Sequence, residues 1–289
     1  MKKFVSICKK IAAAALGLCF AASFLCACAP AAGDIMDVSP SPVPTSSAAQ
    51  PADPTPTPTP TPVPAASPAT ATELSALPGE KTPSPYAGEK LVALTFDDGP
   101  FKTVTSRILD AVERYSGDGV HVTFFVLGLQ VVQYPELVSR AHDLGCEIGN
   151  HTYHHTNLTR VSLEEMQKEV FDLVEMIEEI TGVKPTLVRP PYGAKDETVY
   201  ENVPFPLIMW NIDTLDWQTH DTQSTVDSAL NAKDGDIILM HDVREDTAAA
   251  VERIIPGLLE RGFKLVTVSE MFEAKGIELK AGQQYRKAR

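Results

Sequence analysis

The chain has 289 residues, with 25 Lys and Arg against 38 Asp and Glu, 23 Pro and 5 Cys. A net charge of −13 supplies no basic surface to neutralise phosphates, which argues against a nucleic-acid partner, and no protein partner is evident. Of the 23 prolines, 15 lie between Pro30 and Pro85, so the foldable part is confined to roughly 190 residues, one ordinary domain.

The N-terminus reads as an export signal: Lys2, Lys3, Lys9 and Lys10 precede an apolar run over residues 11–25. Leu25-Cys26-Ala27-Cys28 resembles a bacterial lipoprotein signal, which implies that residues 1–27 are removed and that Cys28 carries a lipid on the outer face of the cell membrane. Secretion after cleavage near Ala29 and an uncleaved membrane helix are the alternatives. Residues 28–88 are Pro, Thr, Ala and Ser, with strict Pro-Thr alternation over residues 54–62, and too few large apolar groups to offset ordering entropy. They are expected to form a disordered linker that reaches about 180 Å when extended as polyproline II. Four of the 5 cysteines lie in the first 28 residues, so the lone Cys146 leaves no disulfide framework and reads as a small core residue.

From residue 89 the chain alternates strands and helices. Residues 91–95 form a short apolar run ending at Asp97-Asp98-Gly99-Pro100, a buried strand meeting a turn. Val104, Ile108, Val112 and Tyr115 mark a helix, and residues 122–126 a β-branched and aromatic strand. Residues 162–181 form the best-marked helix, with Ser162 and Glu165 as a capping box, Gly182 at its end and an apolar stripe stepping by three or four. Strands follow at 207–210, 236–240 and 264–268. A helix at 246–261 is expected to kink or restart at Pro256-Gly257. Such alternation predicts a parallel sheet, closed or nearly closed into a small barrel of about seven strands, with an open doubly wound sheet as the alternative. The domain is expected over residues 89–275, with 276–289 as a C-terminal tail.

The unusual polar clusters follow strand ends, which share one face in a parallel barrel. They are Asp97-Asp98, His151 to His155, Arg189-Pro190-Pro191-Tyr192-Gly193, Asp213 with Asp216-Trp217, and His241. Each alone is more often a turn, a cap or a core histidine than a catalytic group. Converging on one face, they permit metal-assisted acyl hydrolysis. His151 and His155, read as one helical turn apart, and an Asp carboxylate make a three-ligand set with open positions. A second Asp can take a proton, and His241 can deliver one.

Thr95-Phe96-Asp97-Asp98-Gly99-Pro100, His151-Thr152-x-x-His155, Arg189-Pro190-Pro191-Tyr192-Gly193, Asp213-x-x-Asp216-Trp217 and Leu239-x-His241 resemble, in order, the five motifs of the polysaccharide deacetylase family, the NodB-homology domain of carbohydrate esterase family 4. The resemblance covers about residues 90–272 and implies a distorted (β/α) barrel. It implies Asp97 as general base, with Arg189 pairing with it and holding it ionised, and Asp98, His151 and His155 as metal ligands. It further implies the Tyr192 N–H as an oxyanion donor, His241 as general acid with Asp213 raising its pKa, and Trp217 and Leu239 lining the groove and acetyl pocket. One divalent ion is implied, with Zn2+ favoured and Co2+ or Ni2+ able to fit. The expected activity is N-deacetylation of a cell-wall polysaccharide, foremost N-acetylglucosamine of peptidoglycan; an acetylxylan esterase and a non-catalytic glycan-binding module are the rivals. His154 offers an alternative ligand, although the spacing of His151 and His155 fits the motif better.

Overall fold

Eight strands are present among residues 84–289, the part of the chain described by this computed structural model. They are β1 (Lys90–Asp97), β2 (Thr123–Val126), β3 (Glu147–Asn150), β4 (Leu207–Ile208), β5 (Ile212–Asp213), β6 (Asp236–His241), β7 (Phe263–Leu265) and β8 (Gln284–Tyr285). These residues belong to the second of the two units into which the chain divides, Lys81–Arg289. The expected signal, Cys28 and residues 28–83 of the expected linker lie outside the described residues; of its last five residues, Tyr86 packs against the core of the domain. Among the described residues, no helix is long and apolar enough to cross a membrane.

Every strand pair is parallel. β1 is central, flanked by β6 along residues 92–97, by β2 at Thr95–Asp97 and by β7 at Lys90–Val92. β2 continues to β3, and bridges from Asn150 to Val188 and from Val188 to Leu207 carry the pairing on to β4. The chain leaving β4 enters β5, which pairs with β6. The strands therefore form a nearly closed, distorted barrel in which β4 and β5 are joined by the chain and not by a ladder, and the open-sheet alternative is set aside. Of the stretch expected as a strand at 207–210 only Leu207–Ile208 is one; β5 begins beyond it, after Asn211, whose side chain takes the place of its carbonyl in accepting from Ile237 N–H and also donates to Asp236.

Alternation along β1 and β6 sets what faces inward. Leu91, Ala93 and Ile237 pack with Phe125 and Ile208 inside the barrel. Val92, Leu94, Phe96, Ile238 and Met240 pack outward against the helices. The same parity turns Asp97, Leu239 and His241 toward the barrel interior at its C-terminal end.

The covering helices are α1 (Val104–Arg114), α2 (Gly128–Gln133), α3 (Pro135–Asp143), α4 (Leu163–Thr181), α5 (Glu197–Asn202), α6 (Asp216–Thr219), α7 (Thr222–Leu230), α8 (Glu245–Glu260) and α9 (Val268–Ala274). In α4, Met166, Val170, Leu173 and Ile177 form the buried stripe, and Gly182 ends the helix at φ 76°. Ser162 caps Glu165 N–H, but the reciprocal capping box forms at Thr267 and Glu270 instead. α8 runs through Pro256 without a break. Residues 276–289 are no free tail: β8 pairs with β4, Ala288 is fully buried, and Arg289 meets Asp236 at 2.7 Å.

Candidate active site and metal centre

A groove of about 550 Å3 opens at the C-terminal end of the barrel. It is lined by Asp97, Asp98, His151, His155, Tyr192, Asp213, Trp217, Leu239 and His241, so every expected site residue but the buried Arg189 and the undescribed Cys28 reaches it. Trp210, Val243 and Arg244 also line it, and the motifs gave no sign of them.

Arg189 is fully buried beneath the groove. Its Nη1 donates to Asp97 Oδ1 at 2.7 Å and to Thr95 Oγ1 at 2.8 Å, and its Nε donates to the Ile208 carbonyl at 3.0 Å. The guanidinium lies 4.1 Å from the centre of the Phe125 ring. That ring fits because Gly149 faces it; a Cβ there would sit 2.5 Å from ring carbons. Burial pushes the Asp97 carboxyl above the usual range, and Arg189, with His241, opposes that rise. The guanidinium works against the burial that raises the Asp97 pKa and keeps a deeply buried carboxylate paired.

Asp98 follows at φ 76°, a left-handed residue that ends the strand and redirects its side chain. Its Oδ1 is buried without a hydrogen-bond partner, 3.5 Å from His151 Nε2 and 3.4 Å from His155 Nε2. His151 Nδ1 donates to the Arg189 carbonyl at 2.6 Å, which leaves Nε2 as the lone-pair nitrogen. Burial lowers the His151 pKa to about 3, against the pull of Asp98, so this imidazole is neutral. An orphaned carboxylate oxygen between a neutral imidazole and a second one suits a divalent cation and little else. The two histidines do not share a helical turn. They meet through a loop with Thr152 at φ 71° and His155 at φ 61°, braced by the Asn150 side chain accepting from Thr152 N–H. His154 points elsewhere, with Nδ1 2.7 Å from Glu169.

His241 requires the one reassignment of the site. Its partner is Asp216, not Asp213: Nδ1 lies 2.9 Å from Asp216 Oδ1, and the backbone N–H donates to Oδ2 at 2.8 Å. Asp216 heads α6, is fully buried and also accepts from Thr247 Oγ1 at 2.7 Å. Asp213, at the end of β5, accepts from Leu215 N–H at 2.9 Å instead. Burial lowers the His241 pKa, but the Asp216 hydrogen bond and charge outweigh it, with help from Asp97 and Asp98, and carry it to about 9. The groove thus offers a carboxylate able to accept a proton and an imidazolium able to give one. Tyr192, which lines the groove from the turn Pro191–Gly193, holds φ 60°, and its ring packs edge-on against His155.

The polysaccharide deacetylase family model matches residues 85–204. Peptidoglycan-N-acetylmuramic acid deacetylase PdaC of Bacillus subtilis is 42% identical over 70% of this chain and 43% of its own length. Its solved structure gives a TM-score of 0.63 at 42% identity, covering 65% of this chain and 93% of that one. Peptidoglycan-N-acetylglucosamine deacetylase PgdA of Listeria monocytogenes is 39% identical over 68% of this chain and 41% of its own length. A family 4 acetyl xylan esterase from Clostridium thermocellum, solved with a cobalt ion, gives a TM-score of 0.65 at 32% identity, covering 68% of this chain and 98% of that one. The chain spans less than half the length of PdaC and of PgdA. Their shared fold and the five ordered motifs that meet in one groove carry the conclusion that the chain belongs to the polysaccharide deacetylase family.

Proposed function

We propose that this protein is a metal-dependent deacetylase that removes N-acetyl groups from a cell-wall polysaccharide, foremost N-acetylglucosamine of peptidoglycan, and releases acetate. The observation that carries the reading is that two imidazole nitrogens lie within 3.5 Å of the orphaned Asp98 oxygen, in one groove with Asp97 and His241. Asp98, His151 and His155 would hold a divalent ion, a donor set that suits Zn2+, and the ion would supply Lewis acidity toward the acetyl carbonyl and the attacking water. Asp97, held by Arg189, accepts the proton of that water as its oxygen adds to the carbonyl carbon. The Tyr192 N–H donates to the developing oxyanion. His241 then protonates the amine nitrogen as the C–N bond breaks. Trp217 and Leu239 shape the sugar and acetyl positions. A non-catalytic binding module is disfavoured, since no base, ligand or acid is missing.

The acetylxylan esterase reading keeps support from the esterase of the same fold, because the same groups can cleave an ester. Acetate release from N-acetyl chito-oligosaccharides, peptidoglycan and acetylxylan, measured in parallel before and after chelation, decides between them. Amide substrates should be favoured, with activity lost to the chelator and restored by Zn2+. Preference for acetylxylan would establish the esterase. We further propose that Cys28 is lipidated and the linker holds the domain away from the membrane; Cys28→Ala should then leave the membrane fraction, and a variant that stays there refutes this anchor.

A further inference from the structure

We propose that Glu169 and His154 form a latch that fixes His155 in place to bind a metal ion, so that a helix residue outside the five motifs sets how tightly the site holds the ion. The proposal rests on the reading of Asp98, His151 and His155 as the metal ligands; the latch comes from the geometry of the loop that carries the two histidines.

That loop has a shape it would not keep unaided. Thr152 and His155 both stand in the left-handed region, at φ 71° and 61°, which residues other than glycine occupy only where their surroundings impose it. If His155 relaxed to an ordinary backbone angle, its ring would swing away from Asp98 Oδ1, now 3.4 Å from Nε2. Successive backbone N–H groups prevent this. His151 donates to the Val126 carbonyl at 3.0 Å and Thr152 to Asn150 Oδ1 at 2.8 Å. Tyr153 donates to the Glu169 carbonyl and His154 to Glu169 Oε2, both at 2.9 Å. The two bonds that lead up to His155 therefore end on one residue.

Glu169 has the rigidity of an anchor. It projects from α4 among the buried Met166, Val170 and Leu173, and its side chain is 7% exposed. A carboxylate so deep needs partners, and both of its hydrogen bonds among the described residues are with His154: the backbone N–H, and ring Nδ1 at 2.7 Å from Oε1. The His154 ring is itself 57% exposed and adds little to the core, so its bond to Glu169 serves the loop. From the opposite side α2 completes the clamp. Gly128 and Leu129 N–H donate to the Thr152 and Tyr153 carbonyls at 3.2 and 3.1 Å, and a Cβ on Gly128 would stand 2.4 Å from the Tyr153 ring. Glu169 is thus a positioning residue. It makes no hydrogen bond to a metal ligand among the described residues and acts on His155 through the adjoining His154.

The test measures Zn2+ dissociation constants, by competition with a chromogenic chelator, for the wild type, Glu169→Ala, Glu169→Gln and His154→Ala. Glu169→Ala should bind Zn2+ about tenfold more weakly or worse, the usual cost of losing a group that orients a metal ligand. His154→Ala keeps the backbone bond to Glu169 and should lose less. Glu169→Gln keeps an acceptor for that N–H and should restore most of the affinity. Should Glu169→Ala fail to fold, His154→Ala decides, since taking away an exposed ring leaves the core intact. Affinity unchanged in both alanine variants overturns the proposal. So does complete loss of Zn2+ in His154→Ala, which would make His154 itself a ligand. A wild type that takes up no Zn2+ removes the metal reading and the latch with it, whereas variants that match a Zn2+-binding wild type remove the latch alone.

Discussion

His241, the proposed proton donor, is hydrogen-bonded by one side chain among the described residues. Asp216 accepts from its ring and from its backbone N–H, so the imidazolium is both oriented and stabilised. Removing the charge in Asp216→Asn takes away the largest influence that raises the His241 pKa toward 9, so the ring loses its proton at lower pH. The alkaline limb of kcat/KM should therefore move down by about a unit or more. Asp213→Asn should leave that limb in place, because its carboxylate is committed to Leu215. A profile that moves in Asp213→Asn and not in Asp216→Asn would restore the first assignment. Sequence alone could not separate these two aspartates. Both follow a strand in one short motif, and the choice turns on the break at Asn211 and on the distant Thr247, which reaches Asp216 from α8. The two histidines of the candidate metal site, His151 and His155, were legible because their spacing is local, even though a loop rather than a helix delivers them.

At the scale of elements, what the sequence made readable was periodicity. β1, β2, β6 and α4 announce themselves by unbroken apolar runs or by a stripe stepping three and four, since burial on one face or on both demands that pattern. β8 does not. Gln284 and Tyr285 form a strand only because Leu207 and Ile208 lie beside them, a partnership across some 75 residues that no local pattern records. The segment is nevertheless part of the domain: Ala288 N–H donates to Gly235 at 2.8 Å, and Arg289 pairs with the buried Asp236. Deleting residues 283–289 should cost about 2 kcal/mol, from a lost strand pair, a lost buried contact and an unpaired buried acid. That corresponds to a melting temperature lower by about 5 °C, with the barrel's circular dichroism retained. Unchanged melting of the shortened protein would reinstate residues 276–289 as a tail.

Across the whole domain, the charged groups that the site requires also set how stability depends on pH. In the folded protein His241 titrates at about 9, against an ordinary value of 6.5. A raised pKa means the native state holds a proton that the unfolded chain releases. This contribution is complete below 6.5 and is lost as pH climbs to about 9. The difference is worth about 3 kcal/mol at most, a large part of a domain's margin. Asp216, lowered by the same pairing despite its burial, acts at the acid end: its contribution is present above the ordinary aspartate value and fades as pH falls through the folded one. The two are faces of one ion pair and are counted once. Denaturant midpoints measured between pH 7 and 9.5 should therefore decline steadily in the wild type. In His241→Gln, which cannot titrate there, most of that decline should disappear, although its stability at pH 7 is lower because Asp216 is left buried without its cation. Parallel declines in the two proteins would mean that His241 is not the group whose charge the fold stabilises, and the imidazolium would lose its place as the proton donor.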